Sequence, residues 1–308
     1  RLTETAKALW YIYLTLTILC ALGYWLAGMT VFDAIAHSFS TISIGGFSTH
    51  DASMAYFIDK PLIEVTAIIF MFISGINFAL HFTSWRSRSV KAYIMDAEFK
   101  TYLLLLLTAI AISMSYLFYK NYFSSTPQTI LHSIFQVVSI GTTTGFTTHE
   151  YHLWPGFLTA MLLFLSFIGG CAGSTSGGMK VIRFLLLFKQ GMREIMRVIH
   201  PNAVLTIKIG GKPLQTRVIE SVWGFFSVYV AIFSVMLLML MFLGLDQITA
   251  FSAVATCLNN LGPGLNKVAI NYASLDDGAK WILCFAMLLG RLEIFTLLVL
   301  FTAAFWRK

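Results

Sequence analysis

Two stretches of this 308-residue chain carry nearly the same residue types in the same order. One reads Ser43-Ile44-Gly45-Gly46-Phe47-Ser48-Thr49-His50-Asp51, the other Thr142-Thr143-Thr144-Gly145-Phe146-Thr147-Thr148-His149-Glu150. Aligned on Gly46 and Gly145, they match without gaps from Thr30/Thr129 to Asp51/Glu150. A looser third copy reads Asn259-Asn260-Leu261-Gly262-Pro263-Gly264. Such Gly- and hydroxyl-rich runs break helices, and in a chain this apolar a broken helix survives only where protein or trapped water satisfies its N–H and C=O groups. A ring of such segments can turn carbonyls inward and stand in for the water around a dehydrated cation. Glycine suits the task because it reaches φ > 0 and puts no side chain in the lumen. The candidate filter residues are therefore Ser43, Ile44, Gly45 and Gly46; Thr142, Thr143, Thr144 and Gly145; and Asn259, Asn260, Leu261 and Gly262. The competing reading is an ordinary outer turn behind a buried helix, and three copies in register weigh against it.

Two further features can do work inside a membrane. Residues 169–178, GGCAGSTSGG, put five glycines and three hydroxyl residues in ten positions, a poor apolar helix. Gly169, Gly170, Gly173, Ser174, Thr175, Ser176, Gly177 and Gly178 are expected to form an unwound, mobile plug; the alternative is a kinked helix packed closely on a neighbour. No Gly-Lys-Ser/Thr follows these glycines at nucleotide-loop spacing. Arg291, in LLGRLEIF, is a charge inside an apolar run, where it costs several kcal/mol unless paired or facing water. It is expected to reach the glycine-loop carbonyls and act as an electrostatic barrier. The competing reading is a structural arginine that snorkels or pairs with Glu293, although Glu293 is two residues on and off its helical face.

Other chemistry fits less well. His50 and His149 each stand beside one acid without HxxxH or HExxH spacing and read as exposed loop residues, not metal ligands. Cys20, Cys171, Cys257 and Cys284 lie singly in or beside apolar segments and read as small buried residues. Ser174 or Ser176 as a protease nucleophile lacks a histidine in a late apolar span.

The elements that must position these residues follow from composition. The chain is 57% hydrophobic and 11% charged, with mean hydropathy +0.77; soluble domains carry roughly a quarter charged residues. Apolar spans are expected near Trp10–Leu26, Leu62–Phe82, Tyr102–Tyr119, Trp154–Phe188 (interrupted), Val222–Leu245 and Trp281–Phe305. Between successive pairs lie segments too short to cross: Thr30–Thr41, Pro127–Ile140 and Asp246–Cys257. Each reads as a short helix, with Thr126-Pro127 as cap and first-turn proline, and Asp246 at a positive N-terminus. The order is long span, short helix, polar loop, long span, three times.

Charge orients this arrangement. Sixteen of the 21 Lys and Arg fall at the chain ends, residues 83–101 and residues 179–221, which the positive-inside rule makes cytoplasmic. The opposite side holds eight acids against Lys60, Lys120, Lys267 and Lys280, a mouth that concentrates cations. Residues 203–221 alternate apolar and polar around Gly210-Gly211-Lys212-Pro213 and predict a cytoplasmic β-hairpin after a basic helix near Phe188–Ile199. Exposed edges invite a partner, and anionic lipid headgroups compete for the same basic surface.

With SIGGFSTHD, SIGTTTGFTTHE and NNLGPGL in these places, nearly the whole chain resembles the Trk/Ktr/HKT superfamily of potassium transporters, most closely the membrane subunit of the bacterial Trk potassium-uptake system. The resemblance implies an all-α membrane protein of repeated span–pore helix–span units around a central pore, as in potassium channels. Family members carry four units; this chain shows the second (1–85), the third (86–190, with the intramembrane gate loop 169–178) and the fourth (222–308), joined by a cytoplasmic linker (191–221), so the first unit is expected to be absent here. The resemblance further implies potassium uptake across the bacterial inner membrane, with potassium as transported ion at the filter residues, no organic cofactor and no enzymatic activity. A serine for the first unit's glycine favours sodium in relatives; the three glycines seen here lean towards potassium. The implied partners are the membrane, a second copy in a homodimer and a cytosolic nucleotide-binding regulatory subunit, with no nucleic acid. Channel-like and proton- or sodium-coupled movement both fit. The alternative function is a secondary transporter holding a small organic substrate at a broken-helix site.

Overall fold

The computed structural model describes residues 2–203 and 205–307. Arg1, Val204 and Lys308, which enter the charge and hairpin expectations, lie outside the described residues. The chain forms two compact units, Arg1–Lys180 and Val181–Lys308.

The first unit contains α1 (Leu2–Leu26), α2 (Val31–Ile42), α3 (Pro61–Ser74), α4 (Phe78–Ser87), α5 (Lys91–Met95), α6 (Ala97–Tyr119), α7 (Thr126–Gly141) and α8 (Gly156–Ile168). α1 and α6 are long and apolar enough to cross a membrane. The short helices α2 and α7 fall within a residue or two of the predicted segments. Their starts are fixed by side-chain caps. Thr30 accepts from the Asp33 amide at 3.1 Å, and Ser125, one residue before the predicted cap, accepts from Gln128 N at 3.4 Å. Thr126 and Pro127 then occupy the first turn, where a missing N–H costs nothing.

The expected second span is broken: α3 and α4 meet at 92°. The break falls at Gly75-Ile76-Asn77, and several of the freed backbone groups find partners. Gly75 O accepts from Cys171 N at 2.9 Å, and Phe78 N donates to Gly173 O at 3.1 Å. Asn77 Oδ1 caps α4 by accepting from Ala79 N at 2.8 Å, and Ile73 O contacts His81 Nε2 at 3.0 Å. The kink persists because the glycine loop after α8 fills it.

The second unit contains α9 (Val181–Ile199), α10 (Thr216–Phe242), α11 (Gln247–Leu258), α12 (Asp277–Arg291), α13 (Ile294–Val299) and α14 (Ala303–Trp306). α10 is a further membrane-length apolar helix. Asp246 caps α11 through Thr249 N at 3.1 Å, as its position predicts. The hairpin is shorter than expected: β1 (Lys208–Ile209) pairs antiparallel with β2 (Lys212–Pro213), and from Thr216 the chain is already in α10. Ile207, beside β1, packs with Leu186, Ile219 and Val222, so this corner has an apolar centre of its own. The predicted last span is also broken. α12 stops at Arg291, and Glu293 turns the chain at φ 60°. Arg183 donates to Glu293 at 2.7 Å and lies 4.1 Å from the Phe225 ring centroid.

Beside an apolar core, many polar residues are buried and many large apolar ones exposed. Ser139, Thr142, Thr143, Thr144, Thr256 and Asn259 are fully buried, while Leu104, Phe164 and Phe242 are exposed. An apolar surface over polar inner positions suits lipid as solvent. Cys20, Cys171 and Cys257 are buried and free as expected, whereas Cys284 is exposed.

Candidate functional site

The three short helices end in one repeated turn. Ser43, Thr142 and Asn259 close α2, α7 and α11 in the right-handed region. The next residues, Ile44, Thr143 and Asn260, are left-handed, with φ 55°, 65° and 55°. Two residues later Gly46, Gly145 and Gly262 again have positive φ: 68°, 85° and 99°. The hydrogen bonds repeat as well. Ile44, Thr143 and Asn260 donate to Thr41, Ile140 and Cys257, and Gly45, Thr144 and Leu261 reach back to Ser40, Ser139 and Thr256 at 2.7, 2.7 and 2.8 Å. This is a Schellman closure whose left-handed position is normally glycine. β-branched residues there cost about 1–3 kcal/mol each and persist only where the surroundings over-determine them.

The closure uses up amides and leaves carbonyls. Among the described residues, the main-chain oxygens of Ile44, Gly45, Gly46, Thr143, Thr144, Gly145, Asn260 and Leu261 accept no hydrogen bond. Gly262 differs, because its carbonyl accepts from the Tyr272 hydroxyl at 2.7 Å. The first two loops meet within the first unit: a Cβ placed on Gly46 would stand 2.0 Å from Thr144 O. In the second unit α12 presses equally closely on the third loop, where a Cβ on Gly290 would stand 2.0 Å from Leu258 O.

The predicted glycine loop is non-helical from Gly169 to Lys180 and is bonded to the first two turns. Thr175 Oγ1 donates to Ile42 O at 2.8 Å, and Gly177 N donates to Thr143 Oγ1 at 2.7 Å. Lys180 Nζ, at a left-handed residue, donates back to Ser176 O. Glu98 was not foreseen: its buried carboxylate on α6 accepts from Ala172 N at 2.6 Å. An acid in the first turn of a span, beside a cap such as Asp96, carries no local sign of a partner more than seventy residues away. Arg291 is the last residue of α12 and is exposed; the Glu293 carboxylate that competes for it is held by Arg183.

The outer-loop histidines differ from expectation. His50 is half-buried, stacked on Tyr56 with centroids 3.6 Å apart and 3.5 Å from Asp33 Oδ1. Burial pushes the Asp33 carboxyl up, but hydrogen bonds from Thr49 and Thr30 and the nearby imidazoles bring it below its ordinary value. His149 packs edge-on against His132, centroids 4.4 Å apart; burial and the His132 charge lower its pKa.

This geometry has counterparts in known proteins. A family model described as a cation transport protein, TrkH, matches residues 1–308. The chain belongs to the TrkH family. Among TrkH-family relatives, it is 55% identical over 308 residues to the Trk system potassium uptake protein TrkH of Salmonella typhimurium, covering 100% of this chain and 64% of that one. It is 41% identical to the TrkG protein of Escherichia coli, covering 100% and 63%. The crystal structure of the potassium transporter TrkH from Vibrio parahaemolyticus superposes with a TM-score of 0.96 at 55% identity, covering 100% of this chain and 66% of that one. The chain thus spans just under two thirds of the length of the relatives it matches. It is an all-α, multi-pass protein of the inner membrane, and its relatives are named as transport proteins.

Proposed function

We propose that this chain supplies three of the pore-lining repeats of a potassium-uptake protein. Dehydrated potassium, the transported ion, would pass between main-chain oxygens at residues 43–46, 142–145 and 259–262. The observation that carries this reading is the threefold recurrence of one strained turn that leaves consecutive carbonyls unbonded, in a chain of the TrkH family. Each turn follows the C-terminus of a short helix, whose dipole adds partial negative charge where a cation is to be held. At the third repeat the lining oxygens are those of Asn259, Asn260 and Leu261, because Tyr272 engages Gly262.

The glycine loop is the gate. It hydrogen-bonds the first two turns through Thr175 and Gly177, and it is glycine-rich enough to rearrange. Arg291 acts as the electrostatic barrier of the same gate. A homodimer and a cytosolic nucleotide-binding subunit complete the working assembly, with α9 and the hairpin as the cytoplasmic docking face.

Rubidium tracer uptake into liposomes bearing the full-length protein tests the reading. Uptake that excess potassium blocks and sodium does not is the expected result. Uptake only of an organic solute, or none under any gating condition, would overturn it.

A further inference from the structure

Behind the filter turns of the first unit lie buried polar groups that the transport reading does not use. Glu64, in the first turn of α3, is 1% exposed, and both carboxylate oxygens are buried without a hydrogen-bond partner. Its Oε2 stands 3.4 Å from Nδ1 of His132, itself 3% exposed, on α7. The same Nδ1 lies 3.3 Å from the Thr148 hydroxyl, three residues beyond Gly145. A buried carboxylate facing an imidazole is costly unless the two share charge.

The repeat register gives the arrangement a meaning. Asp33 stands where His132 does, Thr49 where Thr148 does and His50 where His149 does. In that copy the Thr49 hydroxyl donates to Asp33 Oδ1 at 2.7 Å, with His50 Nε2 3.5 Å from the same oxygen. In the second unit, Asn266 Nδ2, four residues beyond Gly262, donates to Asp246 Oδ2 at 3.1 Å. In the first and third copies the limb that leaves the filter turn is therefore tied to a carboxylate at the start of its own short helix; in the middle copy Thr148 meets His132, and the Glu64 carboxylate stands behind that imidazole. Only in the middle copy does the acid come from a neighbouring helix.

We infer that Glu64 and His132 are positioning residues for ion selection: through Thr148 the pair holds the limb after Gly145, and with it the carbonyls of residues 143–145, at the spacing that distinguishes potassium from sodium. The inference rests on the proposed transport function. A filter bonded on its outer limbs keeps its oxygens from collapsing onto a smaller ion, and a charged strut resists that displacement more than a neutral one.

The test measures the potassium-to-sodium flux ratio of the full-length protein in liposomes, with the thermal midpoint of each purified variant alongside. Glu64→Ala and His132→Ala each lower the ratio about tenfold, and the double variant falls no further, because the two act as one unit. The nearly isosteric Glu64→Gln keeps the side-chain volume and still lowers the ratio severalfold. Exchanging the partners (Glu64→His with His132→Glu) puts the acid on the short helix, as in the first copy, and restores selectivity. A Glu64→Gln ratio equal to that of the unaltered protein overturns the inference, as do single losses that add in the double variant. Absence of potassium-selective flux in the unaltered protein overturns the transport reading and this inference with it. Selective flux that the variants leave intact overturns this inference alone.

Discussion

Gly46 shows how little freedom a single position has here. Its φ of 68° and the 2.0 Å from a notional Cβ to Thr144 O leave no room for a methyl group. Gly46→Ala forces the first two turns apart at a cost of about 1–3 kcal/mol, and rubidium uptake is expected to fall at least tenfold. Uptake within twofold of the unaltered protein would remove Gly46 from the lining. Arg291 is the charged counterpart. Its removal in Arg291→Ala is expected to raise basal rubidium leak in the closed state, and an unchanged leak excludes it from the gate. Both expectations concern flux, so each variant is checked for equal amounts of folded protein.

At the scale of elements, loops and helix ends hold one another. Glu98 ties the glycine loop to α6 with a charge-assisted hydrogen bond at 2.6 Å, of a type that contributes about 1.5–3 kcal/mol. In Glu98→Ala the loop loses this hold, and the open population rises by about tenfold or more. Glu98→Gln, whose amide oxygen still accepts, recovers most of the difference. Equal basal flux in both variants would show that the bond is not part of the latch. The cap of α11 is pH-dependent. The neighbouring Thr249, side chain first and backbone amide second, lowers the exposed Asp246 carboxyl from its ordinary value; the amide donates to it at 3.1 Å. Its contribution is therefore present above the ordinary carboxylate range and lost as pH falls through the lowered value. Asp246→Ala removes about 1 kcal/mol or less of helix stability at neutral pH, given solvent screening. The gap in thermal midpoint between the two proteins is expected to close on acidification; a constant gap would contradict the assignment.

At the scale of the whole chain, the charge pattern of the sequence is expected to sort by side. The predicted outer face has eight acids to four bases; Asp33 and Glu64 are buried, and the six exposed acids are expected to attract cations over a Debye length of about 10 Å at 0.1 M salt. Raising an impermeant external salt from about 0.01 M to about 0.2 M shortens that reach severalfold. The rubidium concentration for half-maximal uptake is expected to rise with it, while the maximal rate holds. A salt-independent half-saturation would mean that the mouth is electrically neutral to the ion.

Much of the architecture was legible because its causes are local. Apolar length sets the spans, a hydroxyl or carboxylate followed by an apolar run starts α2, α7 and α11, and glycines two residues past each left-handed position mark the turns. The His132–Glu64 pair was half-visible, since the register that equates Asp33 with His132 already places a polar residue inside each short apolar helix. The amino-acid order alone therefore determined the membrane class, the three short helices and the recurring turns, all of which depend on contacts within a few residues. Only the tertiary structure decided that the second span kinks at Gly75–Asn77, that the last span stops at Arg291, that Glu64 faces His132 and that Glu98 accepts from the glycine loop. Those outcomes depend on which distant carbonyls and amides are brought within 3 Å of each other, and no periodicity in the chain encodes such a meeting.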